Sequence, residues 1–176
     1  MFCCVTHYET LAVSGSRALL RLRLETGRTH QIRVHLAALG CYPLLKRDLL
    51  LSAAMLHDIA KTKELSAFPE NDYTDDGQLL GHIVMGCEMV GEKIKSIPGF
   101  PHKLEAEIKH CILAHHGEYE FGSPKKPALM EAVALNFADN TDAKMETLTE
   151  LFNSTTETGW LGFNRLIDSN IRKTSE

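Results

Sequence analysis

The chain has 176 residues, of which 44% are hydrophobic and 24% charged, and its formal net charge is −4. These values are typical of a soluble globular protein with one domain, or with one domain and an appendage. No apolar run approaches the roughly 20 residues of a membrane span, and the N-terminal residues lack the zones of a secretory signal.

The first forty residues predict a β-strand, or a hairpin, followed by a short helix. Residues 17–25 alternate leucine with charged side chains, which is typical of a half-buried strand. Residues 29–39 have a helical pattern that ends at Gly40, and Pro43 marks a break. We therefore expect a small appendage, residues 1–42, before the main domain, residues 43–176.

The two parts of the chain differ in charge. Residues 1–47 carry seven basic and two acidic side chains, a net charge of +5, whereas residues 48–176 have a net charge of −9. A basic head can bind nucleic acid, although a segment this short can also differ by chance. The five cysteines show no CxxC spacing, which favours reduced thiols and a cytoplasmic protein.

From about residue 44 the apolar pattern has the period of helices. The predicted helices are residues 44–61, 79–96, 102–115 and 128–151. Polar loops rich in proline, glycine and aspartate separate them, and the tail, residues 153–176, has a mixed pattern. The sequence thus predicts a mainly α, all-helical body.

Six candidate metal ligands accompany these helices. They are His57, Asp58, His82, His115, His116 and Asp139. Imidazole and carboxylate groups suit divalent first-row ions, and a carboxylate can bridge two of them. Each residue alone has an ordinary alternative role, such as a surface dipeptide or a cation at a helix end. Their order on successive helices is what predicts a metal site.

Lys61 follows His57 by four positions, on the same face if the segment is helical. A lysine there can bind a phosphate or stabilise a leaving oxygen.

The order His-Asp, Gly-His, His-His-Gly, Ala-Asp-Asn resembles that of the HD-domain metal phosphohydrolases. Residues 41–150 resemble the C-terminal HD domain of the YhaM-type 3′–5′ exoribonucleases. The resemblance is carried by MLHDIAKTKEL, YTDDGQLLGHIV, AHHGEYEFGSPKKP and FADNTDAKM. It implies an HD helical bundle that hydrolyses phosphodiester bonds of RNA or nucleotides with two divalent ions. Manganese is favoured, with magnesium, iron, cobalt and nickel as alternatives.

The resemblance also implies roles for residues. His57, Asp58 and Asp139 would hold one metal, His82, His115 and His116 the other, with Asp58 as the bridge. Asp58 and Lys61 would be catalytic, with Lys61 facing the phosphate. The loop of residues 118–127 would border the substrate, with Ser123, Lys125 and Lys126 as substrate-binding residues.

The head departs from the HD pattern, which opens with one more histidine. Residues 5–40, which include VTHYETLAVSG and TGRTHQIRVHLAALG (residues 26–40), resemble the C-terminal part of the RluA-type pseudouridine synthases. No aspartate precedes Asp48, so the catalytic aspartate of that family is missing, as is the OB-type domain of YhaM-type enzymes. We therefore expect a fusion of two fragments without pseudouridine synthase activity. His30, 27 positions before His57, is a candidate for the missing ligand, and His35 is a weaker one.

Two alternatives to an active phosphohydrolase stay open. One is a catalytically impaired fusion product that binds metal or nothing. The other is an RNA-binding remnant that uses Arg21, Arg23, Arg28 and Arg33 of the head. An oligomer is possible in each case.

Overall fold

A computed structural model of the chain describes residues 6–14, 17–24, 42–67 and 69–175. The chain divides into two compact units, Arg33–Phe137 on the one hand and Met1–Ile32 with Ala138–Glu176 on the other. The domain boundary predicted after residue 42 stays a prediction, since residues 25–41, which directly precede it, lie outside the described residues.

The N-terminal hairpin consists of β1 (Thr6–Ser14) and β2 (Arg17–Leu24). The strands are antiparallel, with Thr6 opposite Leu24 and an irregularity between Thr10 and Ala12. The predicted strand is therefore confirmed, in the form of a hairpin. The helix predicted for residues 29–39 lies outside the described residues.

Helices make up most of the remaining chain, as predicted. They are α1 (Arg47–Leu56), α2 (Lys61–Glu64), α3 (Asp75–Lys95), α4 (His102–Ala114), a 3-10 turn (Tyr119–Phe121) and α5 (Met130–Asn153). Within the described ranges, none of these helices combines the length and the hydropathy of a membrane span.

The start of α3 differs from the prediction by about one helical turn. Thr74 caps the helix, because its hydroxyl accepts a hydrogen bond from the Gly77 N–H at 3.0 Å. Asp75 and Asp76 lie in the first turn, where carboxylates interact favourably with the helix dipole. The prediction assigned this acidic stretch to a loop because it relied on apolar residues, which begin only at Leu79.

The core of the unit Arg33–Phe137 lies on both sides of α4. One cluster joins α1, α4 and α5, through Leu50, Ala53, Cys111, Ala114, Ala132 and Leu135. A second joins α1, α3 and α4, through Leu49, Val90, Ile94, Ile108 and Ile112. Cys111 and Ile112 are both fully buried, so α4 is held from two sides up to its last turn.

The all-helical body that we expected is wrong at its C-terminal end. Here β3 (Trp160–Asn164) and β4 (Ser169–Arg172) form an antiparallel hairpin. The turn between them includes Asp168 in the left-handed conformation, φ 54°. Short strands with a mixed exposure pattern do not show the strict alternation that a sequence reading relies on.

Candidate metal centre

His57 and Asp58 lie in the turn that follows α1. The helix ends at Leu56, and the His57 N–H donates the last helical hydrogen bond to the Ala53 carbonyl at 2.8 Å. The His57 ring donates from Nδ1 to the Ala54 carbonyl at 3.0 Å. Its Nε2 lies 3.3 Å from Oδ2 of Asp58. The end of α1 thus presents an imidazole and a carboxylate side by side.

His82 enters the site because α3 is broken at Gly81, where φ is 71° and ψ is 157°. This left-handed backbone costs a residue with a Cβ more than it costs glycine. Because of this break the His82 N–H leaves the helical pattern, and this N–H donates instead to Oε1 of Glu64 at 2.9 Å. Nδ1 of His82 lies 2.9 Å from the same oxygen. One carboxylate therefore fixes both the backbone and the ring of His82.

His115 and His116 end α4. Nδ1 of His115 donates to the Ile112 carbonyl at 2.7 Å, and Nδ1 of His116 donates to the Phe121 carbonyl at 2.8 Å. His115 is fully buried. The Asn136 amide donates to the His115 carbonyl at 2.8 Å, which ties α5 to the end of α4.

The four histidines share one feature: Nδ1 of each ring faces an oxygen that can accept a hydrogen bond but cannot donate one. For His57, His115 and His116 it is a backbone carbonyl, and for His82 it is the Glu64 carboxylate. Nδ1 must then carry the proton, and Nε2 is the nitrogen that can bind a metal ion or a second proton. Such hydrogen bonds fix the tautomer and orientation of metal-ligating histidines.

The side chains converge. Among the residues that the structure describes, two groups have the composition of a metal site, and in each the ligand atoms lie within 4.8 Å of one another. One is His57, Asp58 and His115, and the other is His82, His115 and His116. Oδ1 of Asp58 lies 3.5 Å from Nε2 of His82 and 3.7 Å from Nε2 of His115. His115 belongs to both clusters, whereas the predicted ligand sets assigned it to one.

The residues fit divalent ions. Oδ1 of Asp58 and Nε2 of His82 are buried, and neither makes a hydrogen bond to any residue that the structure describes. A buried polar atom without a partner costs about 1–3 kcal/mol. A cation between these two atoms would remove that cost, and imidazole with carboxylate is a common donor set for first-row metals.

Two carboxylates of the site favour the ionised form. Burial raises the pKa of Asp58, but hydrogen bonds and charges from His57 and Lys61 outweigh burial and hold this pKa well below its ordinary value. Burial likewise raises the pKa of Glu64, and the hydrogen bonds from His82 more than offset it, so its pKa is lowered. Both groups are negative at neutral pH, as metal binding requires.

Lys61 borders the cluster. Its Nζ lies 2.8 Å from Oδ2 of Asp58, and its side chain is 47% exposed. The ammonium group thus contacts the aspartate and solvent together.

Other predicted site residues are not placed in the cluster by the structure. Asp139 lies on α5 within the unit that contains Ala138–Glu176. His30 and His35 lie outside the described residues. Their roles as ligands stay predictions.

The predicted substrate loop follows His116. Lys125 and Lys126 are exposed, and Nζ of Lys126 lies 2.5 Å from Oε2 of Glu118. Ser123 is 2% exposed, and its hydroxyl contacts the carbonyls of Leu113 at 2.8 Å and Lys125 at 2.9 Å. Ser123 therefore holds the loop. Substrate contact by its side chain stays a prediction, which this geometry does not favour.

Two supporting residues, Glu64 and Asn136, were not among the predicted site residues. Glu64 is buried, although it follows two lysines in a stretch that looks like solvated surface. Asn136 precedes Asp139 in a helix interior, where asparagine is disfavoured without a specific hydrogen bond. That signal was present in the sequence for Asn136, and none was present for Glu64.

Comparison with known proteins gives two family matches. The HD domain family matches residues 27–144, and the RNA pseudouridylate synthase family matches residues 3–38. No solved structure matches the chain.

The curated relatives include 3′–5′ exoribonucleases YhaM from three bacteria. The protein of Bacillus velezensis is 47% identical over 108 residues, which are 59% of this chain and 33% of the relative. Those of Bacillus subtilis and Geobacillus sp. are 44% and 43% identical, over 61% and 64% of this chain and 34% of each relative. The chain thus spans about a third of the length of these relatives. Since the HD match covers 118 of 176 residues, the chain belongs to the HD domain family.

Proposed function

We propose that this chain hydrolyses phosphodiester bonds of RNA with the aid of divalent metal ions. The observation that supports it most is the convergence of the imidazoles of His57, His82 and His115 on Asp58, with His116 beside His82 and His115. Each of these four histidines has Nδ1 already bonded to an acceptor. A preset tautomer is characteristic of histidines that bind metal. The YhaM relatives are named as exoribonucleases, which supports RNA as the substrate.

Two ions are proposed, because the two oxygens of Asp58 face different histidines, Oδ2 beside His57 and Oδ1 beside His82 and His115, and a carboxylate can bridge two ions. Such ions lower the pKa of water and offset the charge of a phosphate. Manganese is our choice among the divalent ions, since mixed imidazole and carboxylate ligation suits it. Glu64 holds His82 in place through its hydrogen bonds, and Asp58 would supply a carboxylate ligand to the ions.

Two further ligands are part of the proposal. Asp139 follows Asn136 by three positions on α5, and Asn136 contacts the backbone of His115. His30 falls within the HD family match, which begins at residue 27. We propose Asp139 as a ligand of the ion near Asp58. We also propose His30, in preference to His35, as the first histidine of the family pattern.

Lys61 is proposed to bind a substrate phosphate. Its ammonium group touches Asp58 and is half exposed, so it can donate to a phosphate oxygen without leaving the carboxylate. Lys125 and Lys126 are proposed to bind phosphates farther along the strand. The hydrogen bond with Glu118 raises the pKa of Lys126 and keeps it charged, but a phosphate must displace that carboxylate.

The cytoplasm is the proposed location. Among the described cysteines, Cys87 and Cys111 are both free thiols. Free thiols are typical of a reducing compartment.

The experiment is hydrolysis of bis-p-nitrophenyl phosphate and single-stranded RNA with Mn²⁺. We expect Asp58→Asn to lose at least about 100-fold in activity, since even supporting residues of metal sites are worth 10- to 100-fold. Asp48→Asn is the matched control, because Asp48 is 93% exposed and lies in the first turn of α1, at the opposite end of that helix from Asp58. Equal activity in both variants would refute the proposal. A metal-loaded protein without turnover would instead support the catalytically impaired fusion product.

A second matched pair tests Lys61. Lys61→Ala should lower turnover, whereas Lys63→Ala, at an exposed position two residues later, should not. Equal effects of the two substitutions would show that Lys61 acts only through the net charge.

The match of residues 3–38 to the RNA pseudouridylate synthase family favours a second candidate function, RNA binding without turnover. Arg21, Arg23, Arg28 and Arg33 would supply the charge. This function predicts binding that weakens steeply with salt and persists in chelator. Absence of RNA binding at low salt would exclude it.

A further inference from the structure

Two aromatic side chains project from the turn that follows His116. Tyr119 and Phe121 are 63% and 62% exposed. Burying a side chain of this size stabilises a protein by about 1.5–3 kcal/mol, so leaving both rings in water forgoes that gain. Exposed apolar surface of this kind can mark a binding site.

The turn itself is well fixed. The Phe121 N–H donates to the Glu118 carbonyl at 3.1 Å, and the Gly122 N–H donates to the Tyr119 carbonyl at 3.0 Å. The buried Ser123 hydroxyl anchors the end of the turn to the Leu113 carbonyl of α4. The rings are thus held out by an ordered backbone, and ligand binding need not order the loop first.

The turn is also joined to the candidate metal centre. The Phe121 carbonyl is the acceptor for Nδ1 of His116, at 2.8 Å. The residue that carries one exposed ring therefore also orients one candidate ligand.

The rings have charges of both signs around them, since Glu118 and Glu120 flank Tyr119 and Lys126 is paired with Glu118. The feature that favours a nucleic acid over an apolar protein partner is the ammonium group beside an exposed ring. Nζ of Lys126 lies 5.6 Å from the centre of the Tyr119 ring, and Lys125 is exposed beside it. Aromatic faces next to ammonium groups match a single strand, whose bases stack while its phosphates bind cations. In a duplex the bases are already stacked on one another.

We propose that Tyr119 and Phe121 form a stacking platform for unpaired bases of a single-stranded RNA next to the metal centre. This inference rests on the proposed function and deepens it, because it assigns the residues that bind the unpaired bases of the RNA. The rings bind bases of any identity, so the platform selects unpaired strands without selecting sequence.

The test compares two ligands of equal length and charge, a single-stranded RNA and the same strand with abasic positions. Binding is followed by fluorescence anisotropy in chelator, which prevents turnover. We expect the wild-type chain to bind the base-bearing strand more tightly. Tyr119→Ala and Phe121→Ala should each weaken that binding by about 5- to 150-fold, and the double variant should bind both strands equally.

Controls separate the platform from other effects. Tyr73 is 59% exposed elsewhere in the same unit, and Tyr73→Ala should leave the affinity unchanged. Tyr119→Phe should retain the preference for bases, because it retains the ring. Thermal melting of each variant reports whether its fold persists. The comparison of the two RNA strands on the wild-type chain tests the platform even if a variant fails to fold.

Several outcomes would overturn the platform. These are equal affinity of the wild-type chain for both strands, an undiminished preference in the double variant, and self-association that depends on the two rings while RNA affinity does not. Hydrolysis by the wild-type chain is measured separately. If the wild-type chain hydrolyses RNA but binds both strands equally, the platform alone is contradicted. If it prefers the base-bearing strand but hydrolyses nothing, the proposed phosphodiesterase activity is contradicted.

Discussion

Oε1 of Glu64 lies 2.9 Å from both the backbone nitrogen and Nδ1 of His82. The two contacts depend on the left-handed backbone at Gly81, which ends the first segment of α3 and turns the next N–H toward the carboxylate. The same oxygen therefore caps a helical segment and selects the tautomer of a candidate ligand. Helix geometry and metal-site geometry are coupled at this point.

The first prediction concerns this contact. Glu64→Gln removes the negative charge that Nδ1 of His82 faces, and a loss of this kind weakens metal binding by about 10- to 100-fold. Isothermal titration with Mn²⁺ measures the affinity. Glu88→Gln, at an exposed position on α3, is the matched control. If both variants bind Mn²⁺ like the wild-type chain, Glu64 does not support the metal site.

The second prediction compares two glycines with positive φ. A Cβ at Gly117, where φ is 82°, would overlap the side chain of Asn136, whereas Gly99, where φ is 73°, has nothing within 4 Å of that position. Gly99→Ala should cost about 1–2 kcal/mol for the left-handed backbone alone.

Gly117→Ala should cost about 1 kcal/mol more, because Asn136 must give up its hydrogen bond to the His115 carbonyl. Urea unfolding gives both values. Metal affinity should fall only in Gly117→Ala, since Gly99 lies between the end of α3 and the start of α4, whereas the candidate ligands His82 and His115 lie near the opposite ends of these helices. Identical losses of stability would show that Asn136 moves at no cost.

The sequence could predict those ligands that lie at the end of an apolar helical segment or directly after it. His57 and His115 come at the ends of apolar helices, and helical periodicity brings such positions to the same end of a bundle. The predicted helices followed from this kind of signal, and the order of the motifs on them gave the five predicted ligands that the two clusters contain, Asp58 and four histidines.

What escaped prediction depends on contacts between distant residues. Glu64 is buried by His82, eighteen positions away, and no local pattern announces that contact. The N-terminal turn of α3 is polar, so an apolar period could not show it, and the hairpin of β3 and β4 lacks alternation. The sharing of His115 by two clusters also needs coordinates, because spacing assigns a residue to one set only.

The third prediction is a pH dependence at His110, which lies outside the metal cluster. Its Nε2 accepts a hydrogen bond from the Ala128 N–H at 2.9 Å, and this requires the unprotonated ring. Burial, with a smaller effect of Lys125, lowers the pKa of His110 below its ordinary value of 6.5. The folded chain thus binds a proton here less readily than the unfolded chain.

The sign of the effect follows from this difference. The contribution of His110 to stability is present in full above pH 6.5 and is lost as the pH falls below 6.5 toward the pKa of the folded state. The loss should be about 1 kcal/mol, the usual net value of one hydrogen bond. Urea midpoints of the wild-type chain and His110→Gln at pH 7.5 and 5.5 measure it. If the two chains lose equal stability between these pH values, His110 is not the group that titrates.

The fourth prediction uses the two oxygens of Asp58, one beside His57 and the other beside His82 and His115. Asp58→Ala should remove both metal equivalents, whereas His57→Gln and His116→Gln should each remove one, because an imidazole whose Nδ1 is hydrogen-bonded to a carbonyl can bind one ion at most. Elemental analysis after dialysis against Mn²⁺ gives the stoichiometry. Bound metal also stabilises the folded chain, by about 2.7 kcal/mol when the ion is at 100 times its Kd, so the melting temperature provides a second readout. The wild-type chain should melt lower in chelator, the His57 and His116 variants should show part of that shift, and the Asp58 variant should show none. An Asp58 variant that keeps a full equivalent of metal would mean that one ion is held without this carboxylate, and the bridged two-ion arrangement proposed for this chain would then be wrong.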